Sequence, residues 1–215
     1  SKRAARMVVN CAVSGITTST TSISIQPGLF GNGSVSNINY LFSLPEKVTV
    51  TANNGVANGI IELFQGQYLK TKFVVDESQP NQRFILPNNG IDTSTIRVNV
   101  KESNASTSET EYKLVDNIIG ITSTSNIYLI QETTDEKYEV LFGDGIFGAK
   151  LDNGNVIDIS YIKTEGKAGN GVARLSFSGI IQDQDDIEET NTTTILVTQI
   201  PSENGDDIED LRSVR

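Results

Sequence analysis

The chain has 215 residues, enough for one large domain or two small ones, and a formal net charge of −10. That charge disfavours duplex DNA and an anionic membrane surface as partners, and no apolar run is long enough for a membrane-spanning helix. The chain has no histidine and one cysteine, Cys11, which excludes histidine-based catalysis, zinc–histidine sites and an internal disulfide.

The apolar composition predicts the fold class. It is mostly β-branched, with 24 Ile and 17 Val beside 21 Thr, against 13 Leu and 9 Ala. A β-branched side chain loses rotamer freedom in a helix and packs well on a pleated sheet. The sequence therefore predicts an all-β, mainly antiparallel fold with little helix.

Short apolar or alternating runs, separated by turn residues, predict a succession of strands. Residues 31–39 are rich in Gly, Asn and Ser and are predicted to form an exposed loop. A helix is predicted to start at Asp206, where acidic residues precede Arg212 and Arg215. The predicted strands lie at 4–13, 23–25, 48–51, 60–64, 68–75, 84–86, 96–101, 112–115, 127–130, 138–142, 156–162, 172–177 and 195–197.

Negative charge is concentrated late in the sequence. Residues 183–215 hold ten acidic residues and two arginines, and we interpret this segment as a solvated acidic connection. Calcium binding through Asp183, Asp185 and Asp186 is the alternative. An EF-hand loop, however, needs a central glycine and two flanking helices, and this segment offers neither.

The densest pattern of strands and turns begins at residue 81 and ends at Gly171. We therefore predict two linked β subdomains. The outer one is discontinuous and comprises 1–80 plus 173–215, and the inserted one comprises 81–172. Because the sequence begins without Met and stops inside a predicted helix, we expect it to be a fragment of a longer chain.

Two glycine-rich segments resemble nucleotide-binding loops. Residues 143–148 match G-x-G-x-x-G, but that motif needs a following helix whose N-terminus binds the pyrophosphate. Here a turn and another strand are predicted to follow, so we predict a turn that binds no nucleotide. Residues 166–171 resemble a phosphate loop, yet Ala168 stands where a magnesium-binding hydroxyl is required.

The residues of these turns are the candidate site residues, and their predicted role is structural. Glycine permits a positive φ or a close approach of two backbones, and Asn-Gly pairs favour turns. We predict no catalytic, cofactor-binding or metal-binding residue, and no cofactor. The predicted turn residues are Gly143, Asp144, Gly145, Gly148, Asn153, Gly154, Gly169, Asn170 and Gly171.

The order of these strands and turns resembles that of the baseplate J-like family, the wedge subunits of contractile phage tails and related injection machines. Its members share a Y-x-V-x-F-G-D-G-x-x-G strand and turn, an I-x-I-x-Y strand and a G-x-x-G/A-N-G turn. The corresponding segments here are 138–148, 157–161 and 166–171. The resemblance is dense from 81 to 172, and it is to the wedge subunits of T4-type myoviruses in particular.

The resemblance implies a structural protein of the virion and not an enzyme. It implies a homo-oligomer, a dimer or ring in the full-length chain, that binds other baseplate wedge proteins and rearranges on sheath contraction. The implied location is the tail baseplate, and the host cytoplasm during assembly. A β-rich carbohydrate- or receptor-binding module of a tail or surface protein is the alternative, and it predicts a concave site with stacked aromatic side chains.

Overall fold

Residues 1–208 of the chain are described by a computed structural model. They form strands, turns and one short 3₁₀ turn at Gly166–Gly169, with no α-helix, so the predicted all-β class is confirmed. None of these residues forms a helix able to cross a membrane. Asp206, where a helix was predicted to start, pairs with Arg3 in an antiparallel bridge. The rest of that predicted helix, 209–215, lies outside the described residues.

Sixteen strands account for the regular structure of the described residues. They are β1 (Arg6–Ser14), β2 (Ser22–Ile25), β3 (Gly28–Val35), β4 (Ile38–Leu44), β5 (Val48–Asn53), β6 (Val56–Gln65), β7 (Gln67–Val74), β8 (Phe84–Ile85), β9 (Ile91–Lys101), β10 (Thr110–Leu114), β11 (Ile127–Glu132), β12 (Tyr138–Phe142), β13 (Val156–Lys163), β14 (Ser176–Phe177), β15 (Ile181–Asp183) and β16 (Thr193–Glu203).

The chain divides into two compact units. The first comprises Ser1–Tyr68 and the chain from Ile162 onward, and the second is Leu69–Tyr161. The chain passes from the first unit to the second within β7 and returns within β13. The inserted segment predicted from the sequence was 81–172, so the compact unit begins and ends earlier in the chain. The division into an outer subdomain and an inserted subdomain with the predicted bounds stays a prediction.

The first unit is built on a nine-stranded sheet with the order β14-β3-β4-β6-β5-β2-β15, in which β6 also pairs with β1 and β1 with β16. β1 is antiparallel to both of its neighbours, and Cys11 lies opposite Gly59 of β6 and Leu196 of β16. Alternate residues of β1, from Met7 to Val13, are buried, as expected for a strand with one core-facing side.

The core of the first unit is aliphatic with a few aromatic rings. Phe30 and Phe177 pack edge to face, with 5.0 Å between the ring centroids. This arrangement suits the ring quadrupoles and ties the short β14 to β3. The buried apolar side chains are those of Met7, Val9, Cys11, Val13, Ile16, Ile23, Ile25, Phe30, Tyr40, Phe42, Leu44, Ala52, Ala57, Ile61, Leu63, Val172 and Ile181.

The second unit is built on a seven-stranded sheet with the order β7-β13-β9-β10-β11-β12-β8. β9 and β10, β11 and β12, and β12 and β8 are antiparallel pairs, whereas β10 and β11 are parallel. A parallel pair needs a long return connection, which here is the segment 115–126. That segment contributes to the site described below.

The core of the second unit has its own cluster of buried side chains, including four tyrosine rings. The hydroxyl of Tyr128 donates to the Ile96 carbonyl at 3.1 Å, and that of Tyr161 donates to Asn88 Oδ1 at 2.6 Å. Burial raises the pKa of both hydroxyls, so they stay protonated donors at neutral pH.

Two local predictions are wrong. Residues 31–39, predicted as a loop, form most of the β3–β4 hairpin. Gly31 and Gly33 lie in β3, and this strand needs glycine there because a Cβ would collide with the backbone carbonyl of Ser176 or Arg174. The predicted strand 172–177 is reduced to the two residues of β14, and the chain before it is irregular.

The late acidic segment includes a turn and a long strand, and most acidic residues of the turn are exposed. Residues 193–203 form β16, which pairs with β1. The acidic residues before it form a tight turn in which Asp183 Oδ1 accepts the backbone N–H groups of Asp185 and Ile187, at 2.8 and 3.0 Å. Glu189 accepts the Thr20 hydroxyl at 2.8 Å, which attaches this turn to the loop before β2.

Candidate functional site

The glycine motif forms a loop that begins where β12 ends. The carboxylate oxygen Oδ1 of Asp144 accepts the backbone N–H groups of Ile146 and Phe147, both at 2.8 Å. These two hydrogen bonds hold the pKa of Asp144 below its usual value. The N–H of Gly145 donates to the Gly148 carbonyl at 3.0 Å and closes the turn.

The three glycines of this loop each occupy a position that disfavours a side chain. Gly145 and Gly148 have φ of +88° and +83°, in the left-handed region. A Cβ on Gly143 would collide with the backbone of Gly148, and one on Gly148 would lie 2.5 Å from the Ile127 side chain. The motif is therefore a tightly closed turn packed on the start of β11. A turn and then β13 follow it, so it lacks the helix of a dinucleotide site.

A second loop, the return connection between β10 and β11, is bonded to the glycine loop. The N–H of Gly148 donates to the Thr122 carbonyl at 3.0 Å, and that of Ala149 donates to the Ser125 carbonyl at 2.8 Å. Inside this second loop, Asn117 Oδ1 accepts the Ile119 N–H at 2.9 Å. We refer to residues 115–126 and 143–149 together as the paired loops.

The paired loops expose large apolar side chains to solvent. Ile118 and Ile119 are 72% and 84% exposed, and Ile146 and Phe147 are 84% and 36% exposed. In both loops the apolar pair follows a side chain, Asn117 or Asp144, that bonds the backbone N–H groups after it. Backbone hydrogen bonds and turn geometry therefore determine where these side chains project.

The Asn153–Gly154 turn lies between the glycine loop and β13. The side-chain oxygen of Asn153 accepts the Glu77 N–H at 3.0 Å, and the Gly154 N–H donates to the Val75 carbonyl at 2.8 Å. Gly154 has φ of +85° and open space around the position of a Cβ. This turn joins the end of β7 to the start of β13 through backbone groups.

The third predicted turn, 166–171, lies in the first unit. The Asn170 side chain donates to the Gly205 carbonyl at 3.1 Å and accepts the Gly205 N–H at 2.8 Å. A Cβ on Gly169 would lie 2.7 Å from the Gln65 side chain, and the Gly171 N–H donates to the Ser202 carbonyl at 2.7 Å. The turn thus holds the last residues of β16 and the chain after them.

The structure also contains site-like groups that the sequence did not single out. Arg83 donates to both carboxylate oxygens of Glu139, at 3.0 and 2.7 Å, and the Glu139 side chain is only 9% exposed. The hydrogen bonds from Arg83 hold the pKa of Glu139 below its usual value. These residues lie on separate segments, so no spacing along the sequence indicates the pair.

Ile118 and Ile119 were also missed, although a local signal existed. Asp116-Asn117 before the two isoleucines and Gly120 after them are residues typical of turns, which indicates a loop at this position.

The described residues offer little chemistry beyond packing and hydrogen bonding. Among 1–208, the carboxylates and the single thiol form no group able to hold a metal ion. An open cleft of about 500 Å³ in the first unit is lined by amide, charged and apolar side chains. Tyr40 is the aromatic residue in its lining and is buried, so its ring offers no open stacking face there.

Comparison with known proteins shows a family resemblance over part of the chain. Residues 68–166 match the family described as "Bacteriophage baseplate wedge protein gp6, third domain". The matched segment includes the whole second unit with the glycine loop and the Asn153–Gly154 turn, and reaches Gly166 of the third turn. The chain is similar to T4-type baseplate wedge proteins, the resemblance that its own strands and turns indicated.

One curated relative is similar over most of the chain. The Baseplate wedge protein gp6 of Enterobacteria phage T4 is 25% identical over 178 residues, which is 72% of this chain and 24% of that protein. The chain therefore spans about a quarter of the length of the relative it matches.

Proposed function

We propose that this chain is a structural part of a contractile-tail baseplate wedge. In this role it assembles with copies of itself and with other wedge proteins, rearranges when the sheath contracts, and turns over no substrate. The observation that carries the proposal is the match of residues 68–166 to a baseplate wedge domain. The protein would reside in the tail baseplate of the virion, and in the host cytoplasm during assembly.

The geometry of the predicted site residues supports a structural role. Asp144 accepts backbone N–H groups of its own turn, and Asn153 and Asn170 bond the backbone of other segments. Their polar atoms are thus engaged in holding turns together. We propose that all nine predicted turn residues fix the shape of the scaffold and contact no substrate, nucleotide or metal ion.

Assembly of the full-length protein tests the proposal. We expect light scattering to give a dimer or a ring for the full-length chain, and a monomer for residues 1–215 alone. We expect the full-length chain to co-purify with other wedge proteins of the same virus. A specific interface normally buries about 1,200 Å² or more, so such complexes should survive gel filtration. A monomeric full-length protein that bound no wedge protein would contradict the proposal.

A further inference from the structure

The paired loops combine exposed apolar side chains with a backbone that hydrogen bonds hold in place. They expose four large apolar side chains, Ile118, Ile119, Ile146 and Phe147. The two loops that carry them are hydrogen-bonded to each other, and exposed apolar surface favours an interaction site because burying it is favourable. The backbone that carries these side chains is held by hydrogen bonds, so little backbone freedom is lost on binding.

The hydrogen bonds of the paired loops show how the side chains are held. Gly148 and Ala149 donate to carbonyls of the other loop, and Asp144 and Asn117 each fix the turn that carries an apolar pair. The alternative is that these residues are the ordinary tips of mobile loops. A mobile loop tip has room for a side chain at each position. Here a Cβ on Gly143 would collide with the backbone of Gly148, and one on Gly148 would collide with the Ile127 side chain.

The charges next to these side chains indicate what the partner carries. Asp116 and Asp144 are exposed and form no ion pair among residues 1–208, whereas the nearby Lys150 is paired with Glu77 at 3.6 Å. Asp116 and Asp144 are the charged residues of the paired loops, which hold no Lys or Arg. An acidic rim favours a partner with basic side chains and disfavours symmetric docking onto the same loops of a second copy.

We infer that the paired loops are a docking surface for a different baseplate protein, one with an apolar groove bordered by Lys or Arg. This inference rests on the proposed function and names the surface and the chemistry of its partner. A second copy docked on the same loops fits poorly, since it would place Asp116 and Asp144 of one copy against those of the other. An anionic membrane is disfavoured by the same acidic rim.

The first test uses the full-length protein with Ile146→Ser and Phe147→Ser combined, and separately with Ile118→Ser and Ile119→Ser combined. The matched control is Ile60→Ser, which changes an isoleucine 62% exposed on β6 of the first unit. The probes are the other wedge proteins of the same virus, each purified alone. We expect both loop variants to bind one probe about ten-fold or more weakly, with the control unchanged and all melting temperatures preserved.

The outcomes separate this inference from the proposed function. Full-length wild-type protein that binds no wedge protein contradicts the proposed function. Loop variants that bind every wedge protein as tightly as the wild type contradict the docking surface alone. Wild-type binding to vesicles of phosphatidylglycerol and phosphatidylcholine that is lost in the loop variants overturns the choice of a protein partner.

Two further measurements test the charge and the identity of the partner without relying on the loop variants. Asp116→Lys should weaken binding to the wedge protein and make that binding less dependent on salt concentration. Tighter binding by this variant would contradict a partner groove bordered by Lys or Arg. Replacement of Phe147 by p-benzoylphenylalanine in assembled baseplates should give a photo-cross-link to another baseplate protein. A cross-link to a second copy, or none, would overturn the inference.

Discussion

At the scale of single residues, Cys11 shows how the core controls reactivity. The thiol is 3% exposed on the core side of β1, and burial raises its pKa to about 11. Because the thiolate is the reactive form, only about one thiol in a thousand is ionised at pH 8. We expect Ellman's reagent to leave Cys11 unmodified in native protein at pH 8 and to modify it fully in 6 M guanidinium. Rapid modification of native protein would show that β1 opens.

The Arg83–Glu139 pair allows a prediction about pH. The pKa of Glu139 lies below its ordinary value of 4.5 in the folded protein, chiefly because Arg83 donates hydrogen bonds to the carboxylate. The stabilisation is therefore complete above the ordinary pKa and is lost as pH falls through the lower, folded-state value. We expect Glu139→Gln to cost about 1 to 2 kcal/mol of unfolding free energy at pH 7.

Urea unfolding at pH 7 and pH 3 measures this effect, and the cost should shrink at the lower pH. Glu111→Gln is the control, because Glu111 pairs with Lys113 at 2.7 Å on an exposed surface. Such pairs contribute little, so its cost should stay under about 1 kcal/mol. Equal losses of unfolding free energy for Glu139→Gln and Glu111→Gln would show that the Arg83–Glu139 pair contributes no more than an exposed ion pair.

At the scale of elements, the glycine loop can be tested by comparing two glycines with nearly the same φ. Gly148 and Gly154 have φ of +83° and +85°, but only Gly148 has a side chain, that of Ile127, where a Cβ would lie. We expect Gly154→Ala to cost about 1 to 2 kcal/mol through backbone strain. We expect Gly148→Ala to cost about 1 to 3 kcal/mol more through steric collision.

Urea unfolding of the two variants gives the difference directly. Similar costs would mean that the Ile127 side chain moves aside and that Gly148 is needed only for its φ. The comparison also tests whether the paired loops are held as the hydrogen bonds indicate. A destabilised glycine loop should lose protection against hydrogen exchange at the amides of Gly148 and Ala149.

Most elements could be predicted from the sequence because their signals are local. The strict alternation of residues 96–101 predicts a half-buried strand, and β9 includes this segment. Asn54 and Gly55, an Asn-Gly pair of the kind that favours hairpin turns, have positive φ in the turn between β5 and β6. Short-range chemistry alone is sufficient in such cases.

The errors arose where a distant segment determines the local structure. Gly31 and Gly33 were predicted to lie in a loop, yet they lie in β3, which pairs with β4 and with the distant β14. The Arg83–Glu139 pair and the bonds between the paired loops join residues far apart in sequence. The residues next to each of these positions in the sequence do not indicate such contacts.

At the scale of the whole molecule, we expect the second unit to fold alone. It has its own buried cluster and its own sheet, and its first and last strands, β7 and β13, are neighbours in that sheet. Residues 67–163, which keep both strands whole, should therefore unfold cooperatively in urea. Circular dichroism and dispersed amide resonances would measure this. A chain without a cooperative transition would show that the unit depends on the remainder of the protein.

The pairing of β1 with β16 has a consequence for the order of folding. Cys11 and Leu196 are partners near opposite ends of the sequence, so the entropy of closing a long loop opposes this ladder. Folding of Leu69–Tyr161 shortens that loop, because its entry and exit strands are neighbours. During synthesis this unit leaves the ribosome before β16 does. The inserted unit should thus form early and the β1–β16 ladder late, which makes docking of β16 the slow step of maturation.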